Sequence, residues 1–272
     1  MTLTRRQALL GLTALPLLAA GCAGPTPGTS TPKKGVGAWE FDGLRSAMIQ
    51  TGASWYFNWR SDPLPGVRGV EFVPMIFGAG EVTDDHLADA VRHGSALQGF
   101  NEPDLPHQAN LTVDHALALW PQLMETRLRL GSPATSAPAD TSPWLAAFLD
   151  GVWARGLRVD FLCVHWYDHG ADVAAGVTAL RDHLHRVHER YGLPVWLTEF
   201  AMIDWLGEHP RFPDHVRQGE YAAACVAMLE ALTFVERYAW FALPPWQPVS
   251  AVNLFDPGPV ITPAGEAYAR AG

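Results

Sequence analysis

A chain of 272 residues, 48% hydrophobic and 17% charged, can bury one large core and has no need of a second domain. Its formal charge of −9, with no cluster of Lys or Arg beyond the first residues, argues against nucleic acid or an anionic surface as partner, since both require concentrated cations. Eleven Trp is a high count, and it points either to an aromatic-rich core or to a cleft whose indoles stack on the flat apolar faces of sugars.

At the N-terminus, Arg5 and Arg6 precede an apolar run over 8–20 that is too short to span a bilayer comfortably. The stretch 4–10 resembles a twin-arginine export signal, and Gly21-Cys22 closes a segment that resembles a bacterial lipoprotein processing site, with Cys22 as the lipidated first residue. Residues 22–34 are rich in Pro, Gly, Thr and Ser without apolar periodicity and read as a tether. The reading is therefore a signal over 1–21, a tether over 22–34 and one domain over 35–272. The expected product is an exported monomer, in the cell envelope or outside it, that meets a membrane only through its N-terminal lipid.

Eight short apolar runs follow, at 36–39, 54–58, 71–76, 97–101, 129–132, 161–165, 195–199 and 238–242. Amphipathic stretches lie between them. Thr83 can cap a helix bearing Leu87, Ala90 and Val91. The stretch 112–127 carries Ala116, Leu119, Trp120 and Leu123, with Pro121 predicting a kink. Ser142-Pro143 supplies a cap and a first-turn proline ahead of Leu145, Phe148, Leu149 and Val152. Leu180, Leu184, Val187 and Tyr191 form a further stripe that Gly192 ends. Alternating strands and helices predict parallel βαβ units, and eight of them in about 240 residues match an α/β fold of the (β/α)8 (TIM) barrel type. An open doubly wound sheet is the alternative, weakened because no Gly-rich phosphate loop follows the first strand.

Polar groups accumulate where strands end: Asn101-Glu102-Pro103-Asp104 after the fourth, His165-Trp166-Tyr167-Asp168 on the sixth, Thr198-Glu199-Phe200 on the seventh. Carboxyl groups are costly there unless paired or hydrogen-bonded. In a barrel these positions converge on one cleft, and two carboxyls across a cleft suit glycosidic bond cleavage, one protonated to donate to the leaving oxygen and one ionised.

The same residues carry a resemblance. Gly99-Phe100-Asn101-Glu102-Pro103-Asp104, Val164-His165-Trp166-Tyr167 and Trp196-Leu197-Thr198-Glu199-Phe200, in that order, resemble glycoside hydrolase family 128, within the retaining barrel glycosidases of clan A. The resemblance covers essentially 35–272 and implies an endo-β-1,3-glucanase that works by double displacement on a β-glucan without a cofactor. It implies Glu102 as acid/base, Glu199 as nucleophile and Asn101 as partner of the sugar 2-hydroxyl. His165 and Tyr167 share a strand face and are expected to position substrate and nucleophile. The alternatives are a surface glycan-binding lipoprotein whose catalysis has lapsed, and a barrel glycosidase for another β-linked glucan or mannan.

Trp39, Tyr56, Trp166, Trp205, Trp240 and Trp246 are candidate sugar platforms, Trp240 foremost because it lies in the eighth strand. Trp120, Trp144 and Trp153 fall in helical stretches and read as outer packing. No metal site is expected. His183, His185 and His188 point in three directions on a helix and read as a solvated surface. Cys163 and Cys225 lie in apolar runs and read as two free buried thiols, with a disulfide as the alternative.

Overall fold

The computed structural model describes residues 26–170, 172–244, 251–258 and 260–272; the export signal, Cys22 and Trp246 lie outside that set. Each apolar run forms a strand: β1 (Lys34–Gly37), β2 (Trp55–Phe57), β3 (Glu71–Phe72), β4 (Ala96–Leu97), β5 (Arg129–Leu130), β6 (Leu162–Asp168), β7 (Val195–Met202) and β8 (Val235–Trp240). Six of them pair in the order β3-β2-β1-β8-β7-β6, all parallel, and β4 pairs parallel with β5. Isolated parallel bridges join Met75 to Gln98 and Gly131 to Phe161, so the segments after β3 and β5 touch β4 and β6. A short antiparallel pair, β9 (Phe255–Asp256) and β10 (Val260–Ile261), follows. The fold is α/β with a parallel sheet.

Strand alternation sorts the core into two layers. Trp55, Phe57, Phe161, Cys163, Trp196 and Ala239 pack together on one side of the sheet, while Tyr56, Leu162, Val164, Val195, Leu197, Phe200 and Trp240 face the helices. Those helices are α1 (Leu44–Thr51), α2 (Asp84–His93), α3 (Val113–Glu125), α4 (Pro143–Ala154), α5 (Val173–Tyr191), α6 (His215–Ala231) and α7 (Pro263–Arg270). Thr83 and Ser142 cap α2 and α4 through the backbone N–H of His86 and Leu145, and Gly192 ends α5 at φ 67°. Leu145, Phe148, Leu149 and Val152 are fully buried beneath α4. α3 runs through Pro121 as a single helix. Cys163 and Cys225 are free and buried, and burial pushes both thiols above their ordinary range.

Two expectations are corrected. Residues 28–34 belong to the domain rather than to a tether. Gly28 N–H donates to Ile49 O, Thr29 N–H to Ala269 O, and the buried Lys34 ammonium reaches Thr29 O and Ala271 O. Proline and threonine made the segment look like linker, but its donors find the open carbonyls at the ends of α1 and α7. His183 is not on a solvated surface either: it is fully buried, bonded to Asp140 at 2.9 Å and packed against Trp166. Asp140 supplied the polar partner that a helical wheel could not reveal.

Candidate active site

The alternation of β7 would turn Glu199 towards the helices, since Trp196 faces the inner layer and Leu197 the outer one. A bulge prevents this. Val164 pairs with Leu197 but His165 pairs with Glu199, so Thr198 is an extra residue, and its hydroxyl donates to Val164 O. Glu199 is thereby turned onto the face that carries His165 and Tyr167. Glu102 arrives by a different device. Asn101 bridges to Ala134, and the next residue takes φ 42°, a left-handed turn that swings Glu102 back into the same space while its N–H donates to Ala134 O. Asp104 fixes that turn by accepting from Ser136 N–H and Oγ and from Ala137 N–H.

The result is a buried group of interlocked side chains. His165 Nδ1 lies 3.0 Å from Glu102 Oε1, and its Nε2 lies 3.4 Å from Glu199 Oε1. The Tyr167 hydroxyl donates to Glu199 Oε2, and Trp59 Nε1–H donates to Glu199 Oε1 at 2.8 Å. Asn101 Nδ2 donates to Gln108, and its Oδ1 has no partner among the described residues. One ligand atom each from Glu102, His165 and Glu199 fall within 4.8 Å of one another, the one acidic–histidine group among the described residues compact enough to hold a metal. Tyr167, Trp59 and His165 already direct donors at these oxygens, a pattern suited to carboxyls that act as acid and nucleophile.

Burial pushes the Glu199 carboxyl above the usual carboxylate range; the charge of Glu102 adds to the rise, while His165 and the bonds from Tyr167 and Trp59 oppose it. Burial alone would lower His165, but the charges of Glu199, Glu102 and Asp104, with the bond to Glu102, outweigh it and leave its pKa raised. Burial and the Glu199 charge hold the Tyr167 phenol well above its ordinary value, so it remains a donor.

Glu102, Glu199, Asn101, His165 and Tyr167, all singled out from sequence, therefore stand together. The expected sugar platforms fare differently. Trp240 is fully buried between Phe200 and Tyr268 and donates to Val252 O. Tyr56 is buried against Phe72 and accepts from Leu64 N–H. Trp166 packs against His183 of α5, ring centroids 4.8 Å apart. All three lie one residue out of phase with the inner face; Trp240 and Tyr56 are buried under the helices and offer no surface to a sugar, whereas Trp166 is partly exposed. Trp205, 39% exposed, does stand edge-on to Tyr167, and the half-buried Trp39 contacts Trp59. Sequence reasoning missed Trp59 and Phe241. Trp59 had a visible signal, for it follows Asn58 directly at the end of the second apolar run, as the other site residues follow theirs.

Residues 37–268 match the family model described as the glycosyl hydrolase catalytic core. The chain belongs to that family. It is a glycoside hydrolase, and its resemblance to family 128 holds in three dimensions. A family 128 subgroup I endo-β-1,3-glucanase from Amycolatopsis mediterranei, solved as a glutamate mutant in complex with laminaripentaose, is 44% identical, with a TM-score of 0.84 over 89% of this chain and 100% of that one. A subgroup II endo-β-1,3-glucanase from Sorangium cellulosum is 27% identical, with a TM-score of 0.73 over 88% of this chain and 98% of that one. Alkali-sensitive linkage protein 1 of Schizosaccharomyces pombe is 31% identical over 208 residues, 74% of this glycoside hydrolase but 36% of the yeast protein, so the chain spans about a third of that relative's length.

Proposed function

We propose that this glycoside hydrolase is a retaining endo-β-1,3-glucanase, and the observation that carries the reading is the spacing of Glu102 and Glu199. Their nearest oxygens lie within 4.8 Å. Retaining glycosidases hold their carboxyls about 5–5.5 Å apart, whereas inverting ones leave roughly 6.5–9.5 Å for a water. Glu199, oriented by Tyr167, attacks the anomeric carbon while Glu102 protonates the departing oxygen. The glycosyl-enzyme no longer carries charge on Glu199, so Glu102 gives up its proton more readily and acts as base towards the incoming water. Asn101 Oδ1, buried and without a partner among the described residues, is the acceptor this reading gives to a sugar hydroxyl. The β-1,3 linkage rests on the laminari-oligosaccharide complex of the 44% identical relative. A lapsed glycan binder would have no use for two buried carboxyls held so close together, which cost stability.

The pairing of β1–β3 with β6–β8, of β4 with β5, and the two isolated bridges between these groups support a closed (β/α)8 barrel with the site at the C-terminal strand ends. The sequence ahead of the domain supports export and lipid attachment at Cys22, and mass spectrometry of the mature N-terminus tests that part. For the reaction, the test is incubation with β-1,3-, mixed-linkage and β-1,4-glucans while NMR follows the products. A β-configured first product from the β-1,3-glucan is expected. An α-configured one would mean inversion and would remove Glu199 from its role.

A further inference from the structure

β1 carries glycine at 35 and 37, alternate positions that face the same side of the sheet. Each leaves room for an indole. A Cβ at Gly35 would lie 2.3 Å from Cε2 of Trp55, and one at Gly37 would lie 2.8 Å from Cη2 of Trp59. The second contact has chemical weight because the pyrrole nitrogen of the same indole donates to Glu199 at 2.8 Å. The ring has little freedom to move: Phe57, Trp39 and Phe241 surround it at centroid distances of 4.7, 5.8 and 5.9 Å. Its backbone stands at φ 58°, a conformation that costs a non-glycine residue energy and persists only when neighbours impose it. Asn58 imposes it, accepting from Arg60 N–H and donating to Asp62 O across the turn.

We infer that Trp59, seated against Gly37, is a positioning residue that locks the orientation of the Glu199 carboxylate by holding Oε1 while Tyr167 holds Oε2. The inference rests on the reading of Glu199 as nucleophile. Held at both oxygens, the carboxylate cannot rotate about its terminal bond, so attack requires no reorientation. An indole N–H is a donor only and does not titrate, so the donor itself persists at every working pH. The other groups that face Glu199 do titrate: His165 and Tyr167 from β6 and Glu102 beyond β4, with Asp104 acting on His165. Removing the Trp59 donor withdraws support from the ionised form of Glu199 and moves its ionisation to higher pH.

Trp59→Phe keeps the ring and deletes the donor. Expected is a fall in kcat on laminari-oligosaccharides of about ten- to a hundredfold, as for loss of a hydrogen bond to a charged group, with little change in KM and the acid limb of the pH profile moved upward. Gly37→Ala, which must displace the indole, is expected to move both readings in the same direction; if it does not fold, Trp59→Phe decides alone. A rise in KM with kcat and the acid limb unchanged would make Trp59 a sugar platform and overturn the inference. Carbon-13 NMR titration of the Glu199 carboxyl in the wild type and in Trp59→Phe supplies a reading independent of turnover. An unshifted titration would sink the positioning role, whereas a wild-type chain inactive on every β-glucan would sink the proposed function and leave that titration to judge Trp59.

Discussion

The two glutamates stand on unlike supports. Glu199 sits within β7, eight residues long, paired on both sides with β6 and β8, and three side chains face its oxygens. Glu102 follows β4, a strand of two residues, on a left-handed turn, with His165 as its side-chain partner. The division suits their tasks. A nucleophile must keep one geometry through both displacements, and long paired strands supply it. An acid/base must lose and regain a proton, and a turn at the end of a short strand leaves it nearer to solvent and less constrained.

The sharpest way to break this comparison is to remove each carboxyl in turn. Glu199→Gln is expected to lower activity at least about a thousandfold on every substrate, because no other group can attack. Glu102→Gln should lose about a hundred- to ten-thousandfold on β-1,3-glucan yet retain much of its first step on aryl glucosides whose leaving group needs no proton. Burst kinetics on both substrates measure the asymmetry, and equal losses everywhere would erase it. Next in size, Tyr167→Phe should cut kcat by about ten- to a hundredfold and leave binding of oligosaccharides, followed by calorimetry, nearly unchanged.

A smaller effect concerns stability against pH. The folded-state pKa of Glu199 is raised above its ordinary 4.5, so its favourable contribution is complete below that value and is lost as pH climbs through the folded pKa. His165, also raised, loses its contribution in the same direction, above its ordinary 6.5. Glu199→Gln cannot ionise, so it is expected to melt a few degrees above the wild type at pH 7, with the gap closing towards pH 4. Thermal melts across that range read it. Smallest of all, Ser142→Ala removes the cap of α4 and should cost about 1 kcal/mol, roughly 2–4 °C in Tm, with kcat unchanged because the cap lies beyond the turn that carries Glu102.

Much of this was legible in the sequence because both periods were clean. Strand runs, helix caps at Thr83 and Ser142, and the strand-end motifs around Glu102, His165 and Glu199 all follow local rules. Which aromatic rings reach the site was not legible, because a one-residue phase decides whether a ring meets the site or a helix: Trp240 and Tyr56 fall on the helix side, and Trp59 lies beyond a strand end where no phase applies. The bulge at Thr198 is equally silent in sequence, since nothing in Trp-Leu-Thr-Glu-Phe announces that the fourth residue will face the same way as the first. His183 needed Asp140, 43 residues away, before its burial made sense.

Lys34 has a consequence for attachment. Its ammonium fastens the incoming chain at Thr29 to the last helix at Ala271, so both ends of the described domain meet where β1 begins, at the N-terminal edge of the sheet. Glu102 and Glu199 occupy the other edge. A surface, tag or resin joined at Thr29 or at the end of α7 therefore lies on the far side of the sheet from Glu102 and Glu199. Immobilised by its ends, the enzyme should still graze on an insoluble polymer laid across its open face.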